Sequence, residues 1–166
     1  MPKPKIISPR AGQESVWDYP RPPALESVTK TLTVVAGGEI IAQTNQGFRV
    51  LETSHPPVYY FPPQDVKKEF VRIKSVGRSF CEWKGAAFYV DVIVGDAEFA
   101  NAAWGYADPS PRFRPIREYL AFYASRVDTC FVDEEEVIPQ PGDFYGGWIT
   151  DDIVGPFKGE PGTWGW

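Results

Sequence analysis

The sequence predicts a mainly β fold: a single compact barrel- or sandwich-like domain with two short helices and a docked Pro/Gly/aromatic tail. The length of 166 residues is typical of one domain. The 17 prolines disfavour long helices, because proline fixes φ and removes a backbone donor. The 6 Trp, 8 Tyr and 11 Phe residues favour strands, since aromatic side chains pack well on a pleated surface.

Composition divides the chain into three segments. Residues 1–30 are a proline-rich arm that we expect to pack on the body through Trp17 and Tyr19. Residues 31–138 are the β-rich core, and residues 139–166 are a Gly/Pro/Trp-rich extension that we expect to dock on it. The alternative for the arm is a polyproline segment that binds the aromatic groove of a partner.

The first half of the core predicts four strands. The stretch "TLTVVAGGEIIAQT" (31–44) is two strands joined through Gly37 and Gly38, a pair typical of a two-residue hairpin turn. The runs "GFRVLET" (47–53) and "VYYF" (58–61) follow as the third and fourth strands. Short strands at this spacing are typical of a sandwich or a barrel.

The second half adds two short helices and the strongest hairpin. The stretch "PPQDVKKEF" (62–70) predicts a short helix with proline in its first turn, and "VRIK" (71–74) predicts an edge strand. The stretch "SFCEWKGAAFYVDVIVGDAEFANAAW" (79–104) predicts a long hairpin around Gly95 and Asp96. The remaining predicted elements are a short helix at "DPSPRFRPIREYL" (108–120), capped by Ser110, and strands at "LAFYASRV" (120–127) and "TCFVDEEEVI" (129–138).

The net charge of −5 argues against nucleic-acid binding, because binding to the phosphate backbone depends mainly on positive charge. Residues 67–84 are locally basic and could bind an anion or guard a strand edge. One histidine and two separated cysteines predict neither a metal site nor a disulfide framework, and no cofactor fingerprint is visible. Without a signal peptide or a membrane-spanning run we expect a soluble cytoplasmic protein, and the sequence indicates no oligomeric state.

The lone histidine, His55, lies in "TSHPPVYYFP" (53–62). Pro56 and Pro57 restrict the residues before them to extended backbone, so this loop is stiff and presents the imidazole at little entropic cost. Such a setting suits a base, an acid or a ligand-binding donor. The alternative is a structural histidine whose ring is satisfied by a neighbouring hydroxyl or carbonyl group.

The stretch "SFCEWKG" (79–85) contains an acid and an amine two positions apart. If these residues form one strand, Glu82 and Lys84 share one face and Cys81 lies on the other. Glu82 and Lys84 would then project about 7 Å apart and could flank a polar ligand. A solvated surface pair is the alternative. Cys81 would be a small core residue, unable to face His55 as a nucleophile.

Aromatic residues could form the walls of such a site. Tyr59 and Tyr60 are adjacent, so strand alternation places them on opposite faces and only one is expected at a pocket. Trp104 and Tyr106 could supply a stacking surface for a base or a sugar. Most aromatic side chains in the chain must instead belong to the core.

Five motifs occur in this order: "TSHPPVYYFP", "CEWKG", "AAWGY", "YLAFY" and "FYGGWITDDIVGPFKG". Together they resemble the bacterial domain-of-unknown-function family number 427, with the central motifs spanning residues 34–132. The resemblance implies little about activity, since the family carries a nucleotidyltransferase label without an assigned reaction. That chemistry generally needs carboxylates converging on divalent metal. The sequence shows no Walker-type loop, and Asp151 and Asp152 lie in the proline-rich tail.

Three hypotheses for function remain open. In the first, the protein binds, and could act on, a small anionic, sugar-like or nucleotide-like ligand. His55 would move a proton or donate a hydrogen bond, Glu82 would orient it, and Lys84 would hold an anionic group. In the second, the arm and tail form the surface of a non-catalytic protein-interaction module, and His55 is structural. The third is a nucleotidyltransferase-like activity.

Overall fold

The computed structural model describes residues 4–74, 79–81 and 84–166, with the side chains of 79–81 excepted. Its strands are β1 (Glu14–Ser15), β2 (Ala24–Val28), β3 (Leu32–Ala36), β4 (Glu39–Thr44), β5 (Gly47–Leu51), β6 (Val58–Tyr60), β7 (Val71–Ile73), β8 (Ser79–Cys81), β9 (Gly85–Val94), β10 (Ala97–Tyr106), β11 (Leu120–Phe122), β12 (Thr129–Val132), β13 (Glu135–Glu136), β14 (Ile138–Pro139), β15 (Trp148–Ile149) and β16 (Ile153–Val154). Its helical segments are 3₁₀ turns at Val16–Asp18, Pro63–Asp65, Lys68–Phe70, Pro111–Ile116 and Ala124–Arg126.

The mainly β class is confirmed, with the strands arranged in several packed sheets. The largest sheet has the order β11-β10-β9-β7, and β8 also pairs with β9. A second sheet has the order β13-β12-β3-β4, and a third the order β2-β5-β6. Within the described ranges no sheet closes into a barrel. The apolar faces of these sheets meet in the core.

Both predicted hairpins are confirmed. Strands β3 and β4 pair antiparallel, and so do β9 and β10. The first turn places Gly37 at φ +60° and Gly38 at φ +78°, and the second places Gly95 at φ +58°. These left-handed values explain why glycine occupies the turns, since a side chain there would be strained.

The two predicted helices form only as short 3₁₀ turns. The stretch 62–70 divides into the turns Pro63–Asp65 and Lys68–Phe70, with Val66 extended between them (φ −108°, ψ 130°). The later turn, Pro111–Ile116, contains Pro115, which removes a backbone donor and prevents a longer helix. None of the helices in the described part of the chain has the length and apolarity that crossing a bilayer requires.

The expectation of one continuous strand over 79–85 is wrong. Strand β8 ends at Cys81, and β9 begins at Gly85 and runs antiparallel to it, so that Cys81 pairs with Gly85. The chain reverses here, and Gly85 has φ +104°, which suits glycine. Strand alternation therefore does not set the direction of Lys84, and its predicted partner Glu82 lies outside the described residues.

The arm and the tail are both docked. Trp148 of the tail is fully buried, and its indole Nε1–H donates to the Phe122 carbonyl at 2.9 Å. In the arm, β1 pairs in parallel with β16 of the tail, and Val16 is fully buried. The tail therefore packs against the core and against the arm, and it closes one side of the cavity described next.

Candidate functional site

A concave cavity of about 520 Å³ opens beside the β9–β10 hairpin. The "SHPP" loop, the start of β9, β10 and the tail line it, together with residues of β5, β6 and the segment 123–126. We call it the His55 cavity, and the lining side chains that matter most here are His55, Lys84, Trp104, Tyr106, Gln140 and Lys158. A volume of this size is typical of small-molecule sites.

The "SHPP" loop is held rigidly by the arm. The Ser54 N–H donates to the Val16 carbonyl at 3.0 Å, and the Thr53 hydroxyl donates to the Tyr19 carbonyl at 2.6 Å. Ser54 itself has φ +72°, an uncommon value for a residue with a side chain. These contacts and the two following prolines fix the direction of the imidazole before any ligand arrives.

The His55 ring is buried and neutral. Its side chain is 11% exposed, and the Tyr145 ring meets it edge-on with centroids 4.8 Å apart. Burial lowers the pKa of His55, and the positive charges of Lys158, Arg21 and Lys84 lower it further, to about 3. The Glu52 carboxylate lies 3.7 Å from Nε2, too far for a hydrogen bond that would offset this effect. The ring is therefore a weak base at neutral pH.

Two ammonium groups, those of Lys84 and Lys158, line the cavity and have no carboxylate partner among the residues that the structure describes. In the described part of the chain, neither Lys84 nor Lys158 forms an ion pair. Lys84 Nζ lies 5.8 Å from the Phe113 ring centroid, and Lys158 Nζ lies 5.6 Å from that of Tyr145. Aromatic contacts of this kind position an ammonium group without neutralising its charge.

A third cation at the cavity is already satisfied. Arg126 Nε lies 3.2 Å from an Asp143 carboxylate oxygen, and its two terminal nitrogens donate to the Asn101 and Asp143 carbonyls. Its guanidinium also lies 3.9 Å from the centroid of the Tyr123 ring. Arg126 therefore fastens the tail to the core, and Lys84 and Lys158 remain for an anionic ligand.

Aromatic rings form one wall of the cavity. Trp104 lies 4.5 Å from Tyr123 and 6.4 Å from Tyr60, measured between ring centroids. Tyr60, Trp104 and Tyr106 are each less than 10% exposed and all line the cavity. Tyr59 lies on the opposite side of β6, in the core, with its ring 5.2 Å from Trp148. The alternation of the two adjacent tyrosines thus brings Tyr60 to the cavity.

The tail supplies a second wall at very close approach. A Cβ at Gly146 would overlap the Trp104 ring, and one at Gly147 would come within 2.6 Å of the Pro56 carbonyl oxygen. Only glycine allows the backbone to lie this close to the "SHPP" loop and the hairpin. The Gly-Gly pair was a visible signal for this contact, which the sequence interpretation did not use.

The structure brings most of the predicted site residues together. His55, Lys84, Tyr60, Trp104 and Tyr106 line the cavity. The carboxylate found near the imidazole is that of Glu52, three residues before it. Sequence reasoning missed Gln140 and Lys158, which reach the cavity from the tail; Lys158 lies in the motif "FYGGWITDDIVGPFKG" but was not assigned to the site. No group of three potential metal-ligating residues occurs among those the structure describes.

The fold and the cavity together define a small, mainly β protein with a ligand-sized cavity. The model of one protein family, Domain of unknown function (DUF427), labelled NTP_transf_9, matches residues 24–133. This match covers more than half of the chain, so the protein belongs to that family. No curated protein matches the chain. The matched range ends before the tail residues that complete the cavity.

Proposed function

We propose that the protein binds a small anionic ligand with a sugar-like or nucleotide-like part in the His55 cavity. The observation that carries this proposal is the pair of ammonium groups, Lys84 and Lys158, that line an aromatic-walled cavity without carboxylate partners in the described chain. A ligand phosphate or carboxylate would gain charge-assisted hydrogen bonds from them. The aromatic wall would stack on a base or pack against a sugar ring.

His55 takes the role of a binding group in this proposal. Its low pKa, about 3, keeps the ring neutral, so it contributes a hydrogen bond and no charge. A general base at neutral pH works best with a pKa near 7, which this ring does not have. Binding therefore explains the geometry better than proton transfer by His55.

Binding can be tested by calorimetry and thermal shift with a charge-matched panel. The anionic members are inorganic phosphate, ribose 5-phosphate and nucleoside monophosphates, and the neutral members are ribose and the nucleosides. We expect at least one anionic member to stabilise the protein and its neutral counterpart to do so much less. Charge-assisted hydrogen bonds contribute about 1.5–3 kcal/mol, so Lys84→Ala or Lys158→Ala should each weaken that ligand about 10- to 100-fold.

The control is Lys67→Ala, which removes one positive charge from an exposed position outside the cavity. It should leave the affinity of the same ligand within about twofold, because exposed charges are screened by salt. If all three lysine variants lost the same affinity, the loss would reflect the net charge of the protein and not contacts inside the cavity. A panel without any binder would refute the proposal.

A further inference from the structure

The side-chain amide of Gln140 has only one orientation that its neighbours accept. Its Oε1 lies 3.0 Å from the Gly147 backbone N–H, which can only donate. Its Nε2 lies 2.8 Å from the Lys158 carbonyl oxygen, which can only accept. Exchanging the amide nitrogen and oxygen would break both bonds, so the main chain of the tail fixes which atom of Gln140 faces the imidazole.

The remaining hydrogen on Gln140 Nε2 points to the His55 ring. Nε2 of Gln140 lies 3.1 Å from Nδ1 of His55, within hydrogen-bond distance, and the contact is buried. An amide nitrogen only donates, so Nδ1 must accept and cannot carry a proton. In a neutral imidazole the proton then resides on Nε2.

Nε2–H of His55 is left as the ring's donor. The nearest carboxylate oxygen among the described residues, on Glu52, lies 3.7 Å away, which is beyond a hydrogen bond. Glu52 is also engaged by Arg21, at 3.7 Å. The described residues thus provide no hydrogen-bond acceptor for Nε2–H, and the His55 side chain lines the cavity, where a ligand atom could accept from it.

We propose that Gln140 is a positioning residue: it fixes His55 in the Nε2–H tautomer and so makes the imidazole a permanent hydrogen-bond donor of the cavity. The inference rests on the proposed function only for the identity of what accepts this bond. Lys84 and Lys158 line the same cavity, so together with His55 they would give it three donor side chains and favour ligands rich in acceptor oxygens, such as phosphate and carboxylate esters of sugars.

Gln140 comes from the tail, outside the family-matched range 24–133. It lies 85 positions from His55 in sequence, so the hydrogen bond exists only when the tail is docked. The C-terminal extension thus sets the chemistry of a group that belongs to the matched domain.

The tautomer can be read directly, because His55 is the only histidine in the chain. Long-range ¹H–¹⁵N correlation spectra of the ¹⁵N-labelled full chain at pH 7 distinguish a protonated from an unprotonated ring nitrogen. We expect an unprotonated Nδ1 and a protonated Nε2 in the free protein. An Nδ1–H tautomer or an imidazolium would overturn the inference, even if a ligand is found. A correct tautomer with no binder in the panel would instead refute only the proposed function.

Gln140→Glu replaces the donor with an acceptor while preserving shape. The carboxylate should favour a proton on Nδ1 and raise the pKa of His55 from its value of about 3, so that titration becomes visible above about pH 5. Burial, Lys158, Arg21 and Lys84 oppose this change, and Glu52 supports it. Gln43→Glu is the matched control, since Gln43 is exposed and bonds to Thr33.

An unchanged tautomer and titration in folded Gln140→Glu would contradict the positioning role. Near-UV circular dichroism checks that the variant is folded. If it is not folded, the tautomer of the unsubstituted protein at pH 7 decides alone.

Discussion

Asp91 and His55 are both buried polar residues, but their surroundings differ completely. Asp91, in β9, has no exposed surface, and both of its carboxylate oxygens are bound. Oδ1 accepts from the Asn101 N–H at 2.8 Å and lies 3.2 Å from Lys74 Nζ, and Oδ2 lies 3.1 Å from Arg72. His55 has one ring nitrogen bound and lines a cavity with two ammonium groups, Lys84 and Lys158, for which the described residues form no ion pair.

The pKa values of the two groups express the same difference. Burial alone would raise the pKa of Asp91, but the Asn101 N–H, Arg72 and Lys74 outweigh it and hold the pKa below its ordinary value. Burial and nearby cations both lower the pKa of His55, and the Glu52 carboxylate at 3.7 Å does not outweigh them. A buried charge whose hydrogen bonds and ion pairs are all made within the protein stabilises the fold. A buried polar group with a free hydrogen-bonding position at a cavity is instead a candidate for ligand binding.

The largest effect that tests this comparison is the loss of Asp91. Asp91→Ala leaves the Asn101 N–H unpaired and removes one partner from Arg72 and one from Lys74. Because Arg72 is 59% exposed and keeps Glu98, most of the effect comes from the unpaired N–H and the lost buried packing, so we expect a loss of about 2 kcal/mol in the free energy of unfolding. Urea unfolding at pH 7 measures it. Glu98→Ala is the control, because Glu98 contacts the same Arg72 but its side chain is 57% exposed. Glu98→Ala should lower the free energy of unfolding by less than about 1 kcal/mol. If the two variants lost the same amount, the Asp91 carboxylate would stabilise the fold no more than an exposed ion pair does.

The second effect is the pH dependence that His55 imposes on stability. The unfolded ring titrates near 6.5 and the folded ring near 3, so the unfolded state binds more protons between these values. Stability is then complete above about pH 6.5 and falls as the pH decreases, by about 2 kcal/mol between pH 8 and pH 5. Asp91 does not contribute in this window, because the stability from its lowered pKa is lost only below about pH 4.

His55→Asn separates this contribution from the rest of the chain. The Asn side-chain oxygen can take the place of Nδ1 and accept from Gln140, and the side chain does not titrate. The free energy of unfolding of this variant should be nearly constant from pH 8 to pH 5. A slope equal to that of the unsubstituted protein would mean that the pKa of His55 does not differ between the folded and unfolded states. His55→Ala is less informative, because it also removes the buried contact with Gln140.

The third effect concerns the tail wall of the cavity. Gly146→Ala places a methyl group against the Trp104 ring, and we expect a loss of about 1–2 kcal/mol together with weaker ligand binding. Trp104→Phe shortens the ring, so the double variant should recover at least about 0.5 kcal/mol relative to the sum of the single changes. Strict additivity in this double-mutant cycle would mean that the tail does not lie on Trp104.

Local signals explain what the sequence could predict. Gly37, Gly38 and Gly95 marked hairpins because the turn conformation needs glycine, and that requirement acts within a few residues. The stiffness of the His55 loop was equally local, since it depends on the prolines that follow. Lys84 lines the cavity, but it does not share a strand face with Glu82 as predicted, because β8 ends at Cys81.

The rest of the site depends on contacts between distant parts of the chain. Gln140 reaches His55 across 85 positions, and Lys158 reaches the cavity from still further along the tail. Neither residue belongs to a periodic pattern, because the tail around them has little regular structure. No propensity or alternation rule could pair them with His55, and only docking of the tail does so.

The smallest expected effect on stability comes from two neighbouring hydroxyl groups, one of which is hydrogen-bonded and one of which is not. Thr53 Oγ1 donates to the Tyr19 carbonyl at 2.6 Å, whereas the buried Ser54 Oγ has no hydrogen-bond partner among the described residues. Thr53→Val should therefore cost about 1 kcal/mol in the free energy of unfolding. Ser54→Ala should be neutral or stabilise by less than about 1 kcal/mol, because it removes an unsatisfied polar atom and leaves the left-handed backbone, φ +72°, equally strained. Urea unfolding of both variants at pH 7 measures the difference, and a Ser54→Ala loss as large as that of Thr53→Val would reveal a partner for the Ser54 hydroxyl.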